Sequence, residues 1–277
     1  MNKKFKLILA VGMASVLVGC GSNGSKIDPQ RIANRNVEYD QYFTEIKADA
    51  APAKPDEKGF IRRWTIIEPN NKPNSGNTVF TDSYIQAELT KEYFKGQFTN
   101  DIKSLPKTGD EVIVETEAPR AGGRGGFGGF GGMMGGGAPA AAAPQMVKDT
   151  LTWHSVDSKL FNIKLIRFAL GSSNGQKRYG LIFNAFTVIN CEQDVVVRLA
   201  AGSNASSIWW VNGEKVLTLQ ADRRMVADDG MSKRITLKKG KNLVRAAVIN
   251  GPGMSDMCAR FYNEDGTIFK NYTITNN

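Results

Sequence analysis

The chain has 277 residues, a hydrophobic fraction of 41%, a charged fraction of 23% and a net charge of +9 at neutral pH. These fractions are ordinary for a globular protein, and no basic run interleaved with aromatic residues indicates nucleic-acid binding. The modest positive excess either favours contact with anionic envelope surfaces or acidic glycans, or serves solubility alone. No cluster of metal-ligand or cofactor-binding spacing is evident, so we expect no cofactor and no metal.

The amino terminus, residues 1–19, has the three parts of a bacterial lipoprotein signal peptide. Lysines in the first six residues are followed by the apolar run LILAVGMASVLV, which is too short to span a bilayer. The run ends in Leu17-Val18-Gly19-Cys20, which resembles a lipobox and implies cleavage before Cys20 and lipidation of that residue. A plain secretory signal followed by a chance cysteine is the alternative.

Acyl chains on Cys20 would anchor the mature chain to a membrane, since each buried methylene adds about 0.8 kcal/mol. The residue after it is Gly21, whereas an aspartate there would resemble an inner-membrane retention signal. We therefore expect a lipid-anchored protein of the bacterial envelope, at the outer membrane.

Two segments have the composition of linkers or loops. Residues 20–58 are polar and rich in Ala, Pro and charge, with room for one short helix, and predict a tether and linker. Residues 121–145 (AGGRGGFGGFGGMMGGGAPAAAAPQ) contain 11 of the 29 glycines. Such a stretch buries too little apolar surface to offset its ordering entropy, so the sequence predicts a disordered insertion within a domain.

The sequence of residues 59–277 predicts one β domain. GFIRRWTIIEP predicts its first strand, and TDSYIQAELTKEYF (Thr81–Phe94) predicts a single short helix, with Thr81 or Asp82 as its cap. After the Gly-rich segment come short β-branched runs separated by Gly and Asn turns, among them LFNIKLIRFAL, RYGLIFNAFTVIN and LVRAAVING. This spacing predicts an all-β fold, an antiparallel β-sandwich or jelly roll.

The stretch SIWWVNGEKV places two tryptophans before an Asn-Gly pair. Asn212-Gly213 predicts a two-residue hairpin turn with positive φ at both positions. Because side chains alternate along a strand, Trp209 and Trp210 must face opposite sides of the sheet. We assign Trp209 and Val211 to the core. Trp210 is either covered by the helix or a loop, or stacks on a sugar ring.

Several of these motifs resemble the galactose-binding-domain-like jelly rolls that are appended to glycoside hydrolases and carbohydrate esterases. The resemblance rests on Trp210-Val211-Asn212-Gly213, on Leu237-Lys238-Lys239-Gly240-Lys241-Asn242 and on Asp265-Gly266. It implies a carbohydrate-binding-type sandwich. A related sandwich, the PA14-like module, carries paired aspartates for calcium before its aromatic strand, but Gly202-Ser203-Asn204-Ala205-Ser206 stands at that place here.

The residues do not predict a catalytic site. The single histidine, His154, is the only triad-type base and reads better as an edge or surface residue, and facing carboxylates of a glycosidase cannot be recognised from spacing. Cys191 and Cys258 either form a disulfide or remain as two buried thiols.

The sequence therefore predicts a non-catalytic module that recognises polysaccharide, with Trp210 as its aromatic platform. Candidate polar contacts come from the connection ADRRMVADDGMSK, and are Arg223, Arg224, Asp228 and Asp229. Ordinary solvated loop charge is the competing interpretation of these four residues. A scaffold subunit that binds an envelope protein, or a relative of carbohydrate esterases or glycosidases, remain as alternative functions.

Overall fold

The computed structural model describes residues 39–277 except residue 48 and residues 72–80, 118–144, 173–179 and 250–254. The predicted signal peptide, Cys20 and nearly all of the Gly-rich segment lie outside the described residues. Within the described ranges, no helix has the length and apolar character needed to cross a membrane.

The described residues form antiparallel strands, two α-helices of eight residues each and a helical segment at residues 39–42. The strands are β1 (Phe43–Glu45), β2 (Arg63–Ile67), β3 (Asn70–Asn71), β4 (Glu111–Glu117), β5 (Met146–Ser158), β6 (Leu181–Cys191), β7 (Val195–Ser203), β8 (Ser206–Val211), β9 (Glu214–Leu219), β10 (Gly230–Met231), β11 (Ile235–Leu237), β12 (Gly240–Ile249), β13 (Met257–Asn263), β14 (Ile268–Phe269) and β15 (Thr273–Thr275). The helices are α1 (Asp82–Leu89) and α2 (Leu165–Ser172), with a 3-10 turn at Ile102–Ser104.

Two sheets face each other, which confirms the predicted all-β sandwich. The larger sheet runs in the order β1-β5-β2-β6-β12-β8-β9, with β4 added at β5 and both β3 and β15 at β6. The smaller sheet runs β10-β7-β13-β14, with β11 also on β7. Residues on the facing sides form the main core, in which the rings of Trp64 and Trp209 meet edge to face with centroids 6.1 Å apart.

A third layer covers the outer face of the larger sheet. α1 begins after Thr81, whose side chain accepts a hydrogen bond from the Tyr84 backbone, as the capping pattern predicts. Ile85 and Leu89 of α1 are buried against β8 and β12, and residues 90–105 continue the cover toward β5. Strands such as β6 and β8 are therefore buried on both faces, which explains their nearly continuous apolar sequence.

The sandwich has a second helix where the sequence predicts a strand. The sequence predicts a strand over the run LFNIKLIRFAL, and this prediction is wrong for its second half, which forms α2. Leu165, Ile166, Phe168 and Ala169 are the buried residues of this helix, and this spacing places them on one face of a helix. A short apolar run is compatible with the helical and the strand periodicity. Packing against the sandwich therefore decides that this segment is a helix.

Part of the predicted linker belongs to the sandwich. Phe43 is buried beside α2, and β1 extends the larger sheet by pairing with the end of β5. Further on, Ala53 and Ile274 exchange backbone hydrogen bonds of 2.9 and 2.8 Å. Packing against the sheet thus begins well before residue 59.

The two sandwich cysteines are free thiols. Cys191 ends β6 in the larger sheet and Cys258 lies on β13 in the smaller one, and both are buried. Burial raises the pKa of Cys191 to about 11 and that of Cys258 to about 12. Both thiols therefore stay protonated at neutral pH and behave as small apolar side chains.

Candidate functional site

Loops at one end of the sandwich border an open cavity of about 870 Å³, which we call the loop cavity. They are the β5–α2 connection, the β7–β8 turn, the β9–β10 connection and the approach to β13. The lining residues are Leu160, Phe161, Asn162, Lys164, Asn204, Ala205, Asp222, Arg223, Arg224, Met225 and Asp256. The cavity thus combines apolar surface with charged and amide groups contributed by four separate segments.

The β7–β8 turn and the start of β13 are joined by reciprocal hydrogen bonds. The Asn204 backbone donates to the Asp256 carbonyl, and the Asn204 side-chain oxygen accepts from the Asp256 backbone, both at 2.9 Å. The next residue, Ala205, has a positive φ of 49°, which closes the tight connection to β8. These two hydrogen bonds place the Asp256 side chain at the wall of the loop cavity.

The Asp256 carboxylate is held from one side only. Its Oδ2 accepts hydrogen bonds from Lys164 Nζ at 2.7 Å and from Asn162 Nδ2 at 3.2 Å. Its Oδ1 is buried and has no hydrogen-bond partner among the described residues. Burial raises the pKa of Asp256, and the Lys164 ammonium opposes that rise only in part. The carboxylate of Asp256 and the ammonium of Lys164 therefore form an ion pair at the cavity wall.

The β9–β10 connection supplies the opposite wall. The Ala205 backbone donates to the Arg223 carbonyl at 2.9 Å, and the Ser206 hydroxyl donates to the Ala221 carbonyl at 3.0 Å. The Arg223 guanidinium is held by Asp229 at 2.7 Å. These contacts bring Arg223 and Arg224, two of the predicted binding residues, to the loop cavity.

Phe161 provides an aromatic face at the same cavity. Its side chain is 40% exposed, and its ring packs on that of Phe60 with centroids 5.0 Å apart. Phe60 is itself buried and lies under the Arg260 guanidinium, 4.5 Å from its ring centroid. The exposed ring is thus supported from behind, as a stacking surface requires.

The other predicted binding residues are not brought together around Trp210. Trp210 is only 9% exposed, because α1 and Phe98 cover it, and the two ring centroids are 5.4 Å apart. It is not an open platform, and it does not line the loop cavity. Asp228 accepts hydrogen bonds from Arg260 and from the Tyr262 hydroxyl, and Asp229 pairs with Arg223.

His154 lies elsewhere, at a second open cavity of about 700 Å³ beside β1. Its Nδ1 is 3.2 Å from Glu45 Oε1 and its Nε2 is 3.7 Å from Glu68 Oε1. Burial lowers the pKa of His154, but the nearby carboxylates of Glu68 and Glu45 outweigh burial, so the pKa is raised. The structure therefore places the single histidine away from the loop cavity, in a clamp between two carboxylates.

Sequence reasoning missed Phe161, Asn162 and Lys164 because it assigned them to a strand. No sequence pattern distinguishes Asp256 from the other acids of the chain. The sequence feature that indicates the loop is SKLFN, a segment with polar residues between two apolar runs. A continuous strand would have to change its alternation of apolar and polar residues there. Among the described residues, no group of three or more His, Cys, Asp or Glu is placed to hold a metal ion.

No protein-family model matches the sequence, and no curated protein matches it. Among solved structures, the chain is similar to a PA14 sugar-binding domain from an RTX adhesin, with 10% identity, a TM-score of 0.38, and coverage of 79% of this chain and 99% of that one. It is also similar to the PA14 domain of the MpAFP antifreeze protein, with 8% identity, a TM-score of 0.34, and coverage of 84% and 96%.

A third similarity is to a β-glucosidase from Kluyveromyces marxianus, with 18% identity and a TM-score of 0.30. It covers 40% of this chain and 14% of the enzyme. TM-scores this low assign neither a ligand nor an activity to the chain, so the case for a function rests on the site itself.

Proposed function

We propose that the chain is a carbohydrate-recognition module that binds a polysaccharide in the loop cavity. The observation that carries this proposal is the half-exposed, supported ring of Phe161, which lines the loop cavity together with the Asp256–Lys164 ion pair. A sugar offers apolar C–H faces for an aromatic ring and hydroxyl donors for a carboxylate. The amides of Asn162 and Asn204 and the cations of Lys164 and Arg224 complete a polar rim of the kind that orients a ligand.

The proposal includes the envelope anchor expected from the leader and Cys20. A lipid on Cys20 would hold the sandwich near the cell surface through the polar segment that follows it. Recognition of a polysaccharide at that place would need no catalytic group in this chain.

Binding to a panel of neutral and acidic polysaccharides tests the glycan site. We expect Phe161→Ala to weaken binding by about 1–3 kcal/mol, on the scale of aromatic stacking. Asp256→Asn should weaken it by about tenfold or more, as expected for hydrogen bonds to a charged group. Ile113→Ala, which removes an exposed apolar side chain on β4, is the matched control and should leave affinity unchanged.

Equal affinity of Phe161→Ala and the parent protein for every bound glycan would contradict the proposed site. If no glycan binds at all, carbohydrate recognition is wrong and the scaffold function takes its place. The anchor is tested separately with Cys20→Ser, which should leave the precursor uncleaved or release the protein from the detergent-rich phase. Unchanged processing and partitioning would contradict lipidation.

A further inference from the structure

Three residues with nitrogen donors line a small, partly enclosed cavity beneath residues 90–105. Trp153 stands on β5, Asn184 on β6 and Arg245 on β12, all on the outer face of the larger sheet. The cavity measures about 10 Å³ and is completed by Phe94, Gln97, Phe98, Ala185, Trp210 and Ala246. That volume is roughly one probe sphere, so it holds a single small occupant. We call it the donor cavity.

Each of the three residues has a buried donor with no acceptor among the described residues. They are the indole Nε1 of Trp153, the amide Nδ2 of Asn184 and the Nε of Arg245. Leaving such a group unpaired costs about 1–3 kcal/mol, and more when it is charged. Three such groups around one small space would be a heavy penalty, unless the occupant of that space accepts from them.

A chain of hydrogen bonds fixes which end of the Asn184 amide is the donor. The Tyr93 backbone N–H donates to Gln97 Oε1 at 2.8 Å. The other end of the Gln97 amide must then be its NH₂ group, which donates to Asn184 Oδ1 at 3.0 Å. The carbonyl of Asn184 is thereby used, and its NH₂ group remains for the donor cavity.

Arg245 adds a charge to this site. Burial lowers the pKa of its guanidinium to about 10, so the group stays cationic at neutral pH. It donates to the Thr99 carbonyl at 2.7 Å and lies over the Phe186 ring, with the guanidinium carbon 5.6 Å from the ring centroid. No carboxylate of the described residues forms an ion pair with it. Its positive charge is therefore compensated only by a carbonyl dipole and a ring face.

The chemistry of the donors selects the occupant. A water molecule accepts about two hydrogen bonds and must donate two of its own, whereas this site offers three donors, one of which is cationic. A cation would be repelled by Arg245. We propose that the donor cavity binds a monovalent anion of halide size, chloride under ordinary conditions, through Trp153, Asn184 and Arg245.

An exchange route adjoins the site. Arg245, Phe98 and Trp210 also line a neighbouring cavity of about 110 Å³. Its remaining lining residues, Thr90 and Gly213, are exposed. An ion can therefore reach Arg245 from solvent beside the β8–β9 turn, without unfolding of the covering layer.

Thermal unfolding of the full chain in sodium chloride and in sodium gluconate at matched ionic strength tests the proposal, because gluconate is too large for the cavity. Chloride should raise the melting temperature in a saturable way, by roughly 5–10 °C when it exceeds its Kd about a hundredfold. Asn184→Asp places a carboxylate beside Arg245 and should abolish the chloride dependence while the protein remains folded. Arg245→Met should abolish it as well.

Equal melting temperatures in the two salts would overturn the proposal and leave water as the occupant. A chloride effect that persists in Asn184→Asp would place the ion elsewhere and overturn it equally. Crystals grown in sodium bromide give a second measurement that does not depend on stability. We expect an anomalous-scattering peak within hydrogen-bond distance of all three donors, and its absence would contradict an anion site.

Discussion

The side-chain amide of Asn212 donates a 2.8 Å hydrogen bond to Oδ1 of Asn242, and this bond joins two turns of the larger sheet. Asn212 opens the β8–β9 turn with a φ of 51°, and Gly213 follows with a φ of 84°. The Asn212 Oδ1 in turn accepts from the Leu243 backbone at 2.9 Å. Both turn motifs are therefore parts of one polar network.

We expect Asn242→Ala to destabilise the fold strongly. Asn242 is fully buried, accepts from the Lys238 backbone and donates to the carbonyls of Lys238 and Gly240 at 2.7 and 3.1 Å. Its removal leaves several buried groups unpaired, which should lower the free energy of unfolding by roughly 3 kcal/mol. Asn190→Ala is the control, because the Asn190 side chain donates a single hydrogen bond, to Thr275 at 3.3 Å. This substitution should lower the free energy of unfolding by about 1 kcal/mol or less. Urea denaturation measures both, and similar losses would contradict the network.

The two neighbouring tryptophans should both be needed for stability. Trp209 fills the core between the sheets, and Trp210 fills the layer under α1. Truncation of either to alanine should cost about 3–5 kcal/mol, measured by denaturant unfolding. Val226→Ala, at a side chain that is 57% exposed, should change stability by less than about 0.5 kcal/mol.

Near-parent stability of Trp210→Ala would instead mean that the covering layer does not seal this face of the sheet. The glycan proposal adds a second expectation, since Trp210 does not line the loop cavity. Trp210→Phe should therefore leave glycan affinity unchanged, in contrast to Phe161→Ala.

The clamp around His154 should make stability depend on pH. The folded-state pKa of His154 is raised, so the folded protein binds this proton more tightly than the unfolded chain does. The resulting stability is fully present below the unfolded pKa of about 6.5, and it is lost as pH rises through the folded pKa. The free-energy difference between the parent and His154→Gln should therefore shrink as pH rises above about 6.5. A pH-independent difference would show that the two glutamates do not stabilise the imidazolium.

Shortening the Gly-rich segment should leave the sandwich intact. Glu117 and Met146 are paired at the ends of β4 and β5, so the segment between them joins two neighbouring antiparallel strands. Closure entropy grows only with the logarithm of loop length. Replacement of residues 121–145 by a short Gly-Ser turn should therefore change the melting temperature by only a few degrees. A drop of more than about 8 °C would correspond to a couple of kcal/mol and would show that the segment contributes packing.

The sequence alone determined the local backbone. Asn212-Gly213 encodes positive φ at both turn positions, because few other residue pairs tolerate that conformation. The alternation of side chains predicts the opposite burial of Trp209 and Trp210, which the structure confirms. Glycine and asparagine turns between β-branched runs were enough to predict an antiparallel sandwich, since they specify where strands end.

Tertiary structure alone decided what covers each face and which loops meet. No local sequence pattern indicates that α1 covers Trp210. The apolar run that contains Phe168 is compatible with a strand or a helix, and only its contacts in the folded protein distinguish the two. The loop cavity joins Phe161, Arg223 and Asp256 from three segments that are distant in sequence. Local patterns fix dihedral angles and the alternation of faces, whereas strand order and loop proximity are set by burial of surface between distant segments. The free energy gained by burying these distant segments against each other therefore determines where the loop cavity forms.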